Sequence, residues 1–438
     1  MASAKLTRTN GTATTGNIYT WSAWVKRGLS STQETLVRTR TDDNNYSRIR
    51  FDDDGTLVFE DRISSSTVTN LVSNAQHRDL SAWYHVVVRV DYTQATAGDR
   101  ARIYVNGSEV TYSSTTRQSQ SGSSYFNSAN SHDLGHYNSN NYFNGSMTHV
   151  HFTDGYSYAP STFGETDSTS GIWKPKTAPS VTYGNNGYFL KMENSGAMGT
   201  DSSGNSNNFT VSGTLTQNVD TPSNNFATWN PLTYHFSNQW QANTNGNTTA
   251  NGGSGSAWKT ILTTLGVSSG KYYFEAKLIS SGTNCIIGAV DINDARQNSS
   301  SAWYIGQSST GQGYQNNGAS ANGGASYGAT YANNDIIGVA MDLDNSKIYF
   351  HKNGTYQNSG DPTSGATGTG AISLTANTTY AFAVSSYAGT VWNANFGNGY
   401  FGTTAVASAG TAPSEGGIFE YNCPSGYQSL CTKGINSF

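Results

Sequence analysis

The sequence is poor in charged residues. Lysine, arginine, aspartate and glutamate make up 12% of the 438 residues, and the formal net charge is −4. Globular proteins usually carry about twice that charged share. A helical bundle or coiled coil is therefore excluded, because its solvent-facing positions need lysine, glutamate and arginine. We also expect no nucleic-acid partner, because phosphate recognition needs a clustered basic patch.

Long apolar runs and a cysteine framework are also missing. The start, MASAKLTRTNG, lacks the apolar segment of a secretion signal, and no stretch approaches the ~18 apolar residues of a membrane span. We expect synthesis in a reducing cytoplasm and no membrane insertion. The three cysteines, Cys285, Cys423 and Cys431, match no disulfide framework and no metal-ligand spacing. Cys285 lies in the apolar run CIIGAV and is expected to be buried.

Glycine and aromatic residues are abundant, and many segments alternate with a period of two. This alternation is typical of half-buried strands. In the first 160 residues the expected inward positions are Tyr19, Trp21, Ala23 and Val25 in one strand and Tyr84, Val86, Val88, Val90 and Tyr92 in another. Asp54-Gly55 and Asn106-Gly107 predict tight hairpin turns. The pattern predicts an all-β antiparallel sandwich.

A second β-rich region follows a turn-rich stretch. Its expected strands are KYYFEAKL, CIIGAVDI, DIIGVAMDLD, KIYFHKNG, TTYAFAVSSY and TVWNANFG. We divide the chain into a sandwich at 1–160, an ordered connector at 161–230 with one strand in GYFLKM, a sandwich at 231–400 and a C-terminal extension at 401–438. The polar run QANTNGNTTANGGSGS predicts a flexible loop, and no helix longer than two turns is expected.

Several segments resemble known modules. TWSAWVKRG, AWYHVVVRVD, RIYVNGSEV and NGSMTHVHFTDG are similar to a laminin-G-like sandwich, whereas GVSSGKYYFEAKL, DIIGVAMDLDNSKIYFHKNG and TYAFAVSSYAGTVWNANFG resemble a SPRY domain. The resemblance implies two concanavalin-like antiparallel β-sandwiches of jelly-roll type. The connector runs TDSSGNSNNFT and DTPSNNFATWNPL, with the closing GYQSLCTKGI, resemble segments of bacteriophage structural and tail-associated proteins.

The sequence gives no sign of catalysis. Glucanases that resemble this sandwich share an E-x-D-x-x-E strand, in which alternation aims the carboxylates into one cleft, and this sequence has no such motif. The densest acidic run, Asp52 to Asp54, is expected at a hairpin turn. There is no nucleophile elbow and no Cys/His pair. We therefore expect a protein that is not an enzyme.

Two groups of residues are candidate metal ligands. Four histidines, His132, His136, His149 and His151, fall within twenty positions. His149 and His151 share one face of a strand, where His132 or Asp133 could complete a zinc site, but an ordinary polar strand face explains them too, and we predict no bound metal. The loop Asp201 to Asn208 and the turn at Asp52 to Asp54 are rich in oxygen ligands, so calcium stays open as an alternative to ordinary turn chemistry. No other cofactor is expected.

Sugar binding is the ligand chemistry that the composition favours. It needs aromatic faces for stacking and amide groups for hydroxyls, held by a rigid scaffold. The predicted ligand-binding residues are Tyr137, Asn138, Asn141, Tyr142, Trp303, Tyr304 and Tyr314, with a core position as the alternative for Trp303.

The resemblance and the composition together predict a non-catalytic virion protein. We expect it to be displayed on a phage particle, tail or fibre associated and homo-oligomeric, and to attach to host-surface glycans or receptors. The alternative is a structural accessory that decorates the capsid or braces the tail without a host ligand. In that case it would dock onto other virion proteins through its first ~17 residues or through the segment after Phe401.

Overall fold

The chain folds into two compact units, Met1–Gln217 and Asn218–Phe438. The structure is a computed structural model that describes residues 4–28, 32–138, 141–168, 171–232, 242–253, 255–294, 303–307 and 310–438. The stretch predicted as a connector is divided between the units, with residues 161–217 in the first and 218–230 in the second. The finer division into four parts stays a prediction.

Two antiparallel sheets build the first unit. Its strands are β1 (Lys5–Thr9), β2 (Ile18–Arg27), β3 (Glu34–Asp42), β4 (Asn45–Phe51), β5 (Thr56–Ile63), β6 (Ser66–Gln76), β7 (Trp83–Asp91), β8 (Ala101–Val105), β9 (Ser108–Glu109), β10 (Tyr112–Thr116), β11 (Ser131–Leu134), β12 (Gly145–Asp154), β13 (Gly164–Thr166), β14 (Trp173–Pro175), β15 (Tyr188–Leu190) and β16 (Thr210–Ser212). An eight-stranded sheet has the order β10-β6-β5-β4-β3-β11-β1-β16, a six-stranded sheet the order β15-β12-β2-β7-β8-β9, and β13 pairs with β14.

The period-two pattern selects the inner face of the first unit. Nine residues were predicted to point inward: four on β2, four on β7 and Tyr92, which directly follows β7. All nine lie in one buried cluster between the sheets, which confirms that prediction. The β8–β9 hairpin turns at Asn106 and Gly107, whose φ angles of 49° and 85° suit an Asn-Gly pair. Gly55, with a φ of 90°, closes the predicted β4–β5 hairpin. The strand predicted in GYFLKM is β15.

The outer face of the six-stranded sheet is buried as well, because part of the predicted connector covers it. The Trp173 indole N–H donates to His85 Nδ1 at 3.0 Å, and the Tyr183 hydroxyl lies 3.0 Å from His151 Nδ1. Ser22, between these histidines on β2, is fully buried. The connector segment up to Gln217 is therefore a structural layer of the first unit.

The second unit has the same two-sheet plan. Its strands are β17 (Ala242–Thr244), β18 (Thr249–Asn251), β19 (Trp258–Leu262), β20 (Lys271–Ser280), β21 (Asn284–Asp291), β22 (Gln312–Gln315), β23 (Ile336–Asp342), β24 (Lys347–Lys352), β25 (Thr355–Tyr356), β26 (Ile372–Ser373), β27 (Tyr380–Tyr387), β28 (Val391–Asn395), β29 (Tyr400–Phe401), β30 (Thr404–Ala405) and β31 (Gln428–Ser429). A nine-stranded sheet follows β17-β18-β28-β20-β23-β24-β25, with β26 on β24 and β31 on β20. The facing sheet is β19-β27-β21-β22, and β29 pairs with β30.

The first described strand and the C-terminal segment each join the sheets of their own unit. β1 pairs with β11 and β16. The C-terminal segment adds β31 as a parallel neighbour of β20 and packs Phe419 and Tyr427 against Tyr273 on the outer face of the nine-stranded sheet. Docking onto another virion protein through these segments stays a prediction.

The polar run predicted as a flexible loop contains a hairpin, so that prediction is wrong for residues 242–251. β17 and β18 pair with each other, and β18 joins the sheet through β28. Asn245, Gly246 and Asn247 all have positive φ in the connecting turn, a conformation that Asn and Gly tolerate best. The composition therefore reflects a tight turn rather than a mobile loop.

Helical content in the described part of the chain is small. The α-helices α1 (Ala97–Arg100) and α2 (Thr432–Ile435) have four residues each, and 3₁₀ turns occur at Pro160–Thr162, Gln357–Ser359 and Gly365–Thr367. This confirms the all-β prediction of two sandwiches. No helix in the described ranges has the length and apolarity to cross a membrane.

Candidate functional site

A short segment fastened across the four-stranded sheet of the second unit positions the predicted residue Tyr304. The Thr260 hydroxyl donates to the carbonyl of Trp303 at 2.9 Å, and the N–H of Ile305 donates to Ser385 Oγ at 2.9 Å. The side chains of Trp303 and Ile305 are buried on the outer face of that sheet. Tyr304, between them, is only partly buried.

Tyr304 belongs to a group of three aromatic rings. Its ring centroid lies 4.7 Å from that of Trp258 with the planes tilted by 32°, and Tyr387 meets Trp258 at 5.6 Å with an interplanar angle of 62°. Trp258, Tyr304 and Tyr387 are all partly exposed. The indole thus contacts two rings while part of its surface remains open to solvent.

Strand pairing adds an amide to this group. Tyr387 on β27 is the Cα partner of both Trp258 on β19 and Asn284 on β21. The neighbouring inward residues, such as Ile261 and Val384, lie in the core, so Trp258, Tyr387 and Asn284 form one row on the outer face. We call Trp258, Tyr304, Tyr387 and Asn284 the aromatic face.

Charge is scarce around the aromatic face. The strands β19, β27 and β21 and the segment 303–307 contain two charged residues. Lys259 is buried, and its ammonium donates to the carbonyl of Gly252 at 2.5 Å. Asp291 lies at the far end of β21, opposite Tyr380. The exposed chemistry of this surface is therefore aromatic carbon, phenol hydroxyls and one carboxamide.

Two of the three residues predicted to bind sugar in the second unit are buried, so the prediction is wrong for them. Tyr314 is completely buried in the core and Trp303 is 4% exposed, so neither offers a ring face to a ligand. Tyr304 remains. Sequence reasoning missed Trp258, Tyr387 and Asn284, because the only signal for them is strand register between segments far apart in the chain.

The other predicted patch is GHYNSNNYF, of which residues 139 and 140 lie outside the described residues. Tyr137 is buried, with the guanidinium of Arg48 4.4 Å and that of Arg40 5.3 Å from its ring centroid. Arg38 donates to the Tyr137 carbonyl and forms an ion pair with Asp133 at 2.6 Å. Tyr137 therefore anchors the loop by cation–π contacts.

The remaining residues of that loop are more accessible. Asn138 is exposed, and Asn141 and Tyr142 are partly buried. The Tyr142 ring packs 4.6 Å from that of His136, and Asn141 N–H donates to the Asn138 carbonyl at 3.3 Å. These three residues remain predicted ligand contacts, with one aromatic ring among them.

The structure separates the histidines of the candidate zinc site. His149 and His151 both approach the ring of Phe189, at 5.9 and 3.9 Å, across a bulge in β12. His132 lies between the sheets, where its Nε2 is 3.0 Å from the Tyr188 hydroxyl. No group of three or more His, Cys, Asp or Glu side chains in the described ranges has a geometry that would hold a metal.

Burial keeps the outer-face histidine His85 uncharged. Its Nδ1 accepts from the Trp173 indole, which can only donate, so the proton resides on Nε2 and is donated to Ser22 Oγ at 2.8 Å. Burial lowers the pKa of His85 to about 3 and also lowers that of His151. These rings are packing elements with fixed hydrogen bonds.

In each of the two candidate calcium loops, one carboxylate accepts hydrogen bonds from protein donors. Asp201 Oδ2 accepts from Ser203 Oγ and from the N–H of Asn207 at 2.7 and 2.8 Å. Asp54 Oδ1 accepts from the N–H and hydroxyl of Thr56 at 2.8 and 2.7 Å. Both arrangements are turn motifs stabilised by side-chain to backbone bonds.

Two carboxyl groups have raised pKa values, and both are buried. Burial raises the pKa of Glu275 to about 7, although its carboxylate accepts from the N–H groups of Glu420 and Tyr421 at 2.8 Å each. Burial likewise raises the pKa of Asp61 to about 7, while it accepts from the Ser124 hydroxyl at 2.6 Å. Raised values often mark catalytic acids, but these groups have their hydrogen bonds within the fold.

Two family models match parts of the chain, one in each unit. Residues 2–159 match the laminin-G model described as the concanavalin A-like lectin/glucanases superfamily, and residues 271–397 match the SPRY domain. Among curated proteins, none matches the sequence.

Three solved structures are similar to parts of the chain. The SPRY domain of human HERC1 is 16% identical, with a TM-score of 0.26, covering 33% of this chain and 86% of that one. The heptameric SAP-like pentraxin of Limulus polyphemus is 15% identical, with a TM-score of 0.28 and coverage of 36% and 73%. A candidate carbohydrate-binding protein from Bacteroides ovatus is 15% identical, with a TM-score of 0.34 and coverage of 48% and 58%.

The family matches agree with the observed sheets. The first match covers the strands of the two large sheets up to β12, and the second runs from β20 to Gly397, just beyond β28. The chain therefore carries a laminin-G-like, concanavalin-type module followed by a SPRY-like module.

Proposed function

We propose that this protein is a non-catalytic glycan-binding protein and that the aromatic face of the second unit is a sugar-contact surface. The observation that carries the proposal is the Trp258 indole, which contacts the rings of Tyr304 and Tyr387 and is partly open to solvent. Aromatic faces stack on the C–H face of a sugar ring, and a nearby amide both donates and accepts hydrogen bonds with hydroxyls. Asn284 supplies that amide.

The carboxyl groups support a role in binding rather than catalysis. Glycoside hydrolysis needs two carboxyl groups facing one substrate bond. The segments that form the aromatic face contribute one carboxylate, Asp291, and it lies at the far end of its strand. Glu275 and Asp61, whose pKa values are raised, are fully buried and accept hydrogen bonds from their own unit.

We further propose that the protein is displayed on a bacteriophage particle, associated with a tail or fibre, and attaches to host-surface glycans. This finer proposal is supported by the resemblance of the connector run NNFATWNPL to phage structural proteins. Its partners would then be other virion proteins and copies of itself. Immunogold labelling of intact particles tests the location: label at a tail or fibre tip supports attachment, and label spread over the capsid favours a structural accessory.

A glycan array with the labelled full chain and its Trp258→Ala variant tests the binding function. Trp258→Ala should lower the signal at least tenfold on every glycan that binds the wild type. Tyr156→Ala is the matched control, because Tyr156 is a 38% exposed aromatic residue of the first unit. Equal binding by the wild type and Trp258→Ala would overturn the assignment of the site, and a wild type that binds no glycan would overturn the function.

A further inference from the structure

We propose that the aromatic face takes an uncharged oligosaccharide of at least two sugar rings, lying along the row from Trp258 through Tyr387 to Asn284. This inference rests on the glycan-binding function proposed above and names the class of glycan. It follows from three properties of the described surface: the small number of charged residues in the elements that build it, its length, and the order of aromatic and amide groups along it.

The first property is that the described strands and the segment 303–307 offer no exposed cation to a charged sugar. A carboxylate or sulfate on a sugar would lose hydration on this surface, and a buried or half-buried anion needs a cationic or multiple N–H partner. The one cation in the strands and segment that build the face is Lys259, and its ammonium is buried against the Gly252 carbonyl. Neutral hydroxyl groups need no such partner.

The second property is length. The three Cα-paired residues lie on three adjacent strands, so the row spans two inter-strand spacings, about 10 Å in all. That distance accommodates about two pyranose rings in line. A single ring on Trp258 would leave Asn284 beyond its reach.

The third property is the order of groups. Trp258 offers a partly exposed ring that both Tyr304 and Tyr387 contact. Asn284, at the opposite end of the row, has a carboxamide that can donate to one sugar oxygen and accept from another hydroxyl. The row therefore contacts one ring mainly through its carbon face and the next through its hydroxyls. Fixed side chains reduce the entropy lost on binding.

The test compares neutral oligosaccharides of one to four rings with uronic-acid and sulfated counterparts of the same linkage. Binding to the full chain is measured by isothermal titration calorimetry and tryptophan fluorescence. We expect neutral disaccharides and longer chains to bind, monosaccharides to bind at least tenfold more weakly, and charged counterparts to bind more weakly than neutral ones. Asn284→Ala should weaken disaccharide binding about three- to tenfold, from one lost hydrogen bond. Thr283→Ala, at the exposed neighbouring position, should leave it unchanged.

The failure of this inference can be told apart from failure of the proposed function. If acidic glycans bind better than neutral ones and Trp258→Ala abolishes that binding, the function stands and the neutral-ligand inference is overturned. Equal affinity for one and two rings, with no effect of Asn284→Ala, overturns the inferred length. If no glycan of either class binds, both the inference and the proposed glycan-binding function are overturned. Trp258→Phe keeps an aromatic ring and should retain part of the affinity, so misfolding of Trp258→Ala cannot be mistaken for a lost contact.

Discussion

Trp258 and Tyr304 form a ring pair with centroids 4.7 Å apart, although one lies on a strand and the other on a segment that crosses the sheet. The pair exists because the side chains flanking Tyr304, those of Trp303 and Ile305, are buried and fix the segment in place. Binding surfaces mounted on such a rigid scaffold keep their geometry without a ligand. The same arrangement gives adjacent residues opposite roles, which mutagenesis can separate.

Trp303 and Tyr304 should differ in their effects on stability and on binding. Trp303→Ala removes a buried indole and should lower the free energy of unfolding of the second unit by about 3–5 kcal/mol. Tyr304→Ala removes a partly exposed ring and should cost about 1 kcal/mol while lowering glycan affinity several-fold. Urea unfolding and calorimetric titration measure the two effects. The reverse pattern would show that Tyr304 is the packing residue.

Tyr137 should behave as an anchor of its loop. Tyr137→Ala removes the ring that Arg48 and Arg40 contact and should lower the unfolding free energy of the first unit by about 3 kcal/mol. Glycan binding at the aromatic face should stay unchanged. Chemical denaturation followed by tryptophan fluorescence, with the glycan titration repeated, distinguishes the two roles. Lost glycan binding in a variant of wild-type stability would instead place the sugar site at this loop.

The stability of the second unit should fall as the pH rises through about 7, because of Glu275. Burial raises its pKa from 4.5 in the unfolded chain to about 7 in the folded one. The folded protein therefore binds the proton more tightly than the unfolded chain. The resulting stabilisation is complete below pH 4.5 and is lost as the pH rises through 7. The loss should approach about 3 kcal/mol. Glu275→Gln should abolish this pH dependence, measured by urea unfolding between pH 4.5 and 8. The control Glu415→Gln should keep it, and an unchanged slope in Glu275→Gln would contradict the assignment.

Gly338 should tolerate no side chain. An added Cβ would lie 1.9 Å from Nε2 of His351, which is 2.6 Å from the Tyr273 hydroxyl. Gly338→Ala must displace that ring and should lower the unfolding free energy by about 1–3 kcal/mol. Gly16→Ala is the control, because a Cβ there meets no atom within 4 Å. Equal melting temperatures for the two variants would show that His351 moves aside freely.

Local patterns in the sequence predicted the strands and their inward faces. The alternation around Trp21 and Val86 corresponds to the core of the first sandwich, and Asn106-Gly107 to a hairpin turn. Both properties depend on neighbours within a few residues, where side-chain period and turn conformation are set. That is why the fold class could be predicted without any knowledge of tertiary contacts.

The covering layers and the aromatic face depend on contacts between distant segments. Ser22 and His85 have the spacing of an outward face, yet Trp173 and Tyr183 belong to a layer that buries this face. Residues 242–251 have a loop composition but form strands because β18 pairs with β28. Trp258 shares a row with Asn284 only through register, which one sequence does not encode in any local pattern. Tyr304 was predicted because its own segment is rich in aromatics.

A crystal structure of the full chain with a neutral disaccharide or trisaccharide tests the central claim most directly. We expect electron density for one sugar ring against the indole of Trp258 and for a second ring within hydrogen-bond distance of the Asn284 carboxamide. Density for the sugar at the loop around Tyr142 with an empty aromatic face, or no bound sugar at saturating concentration, would contradict the account.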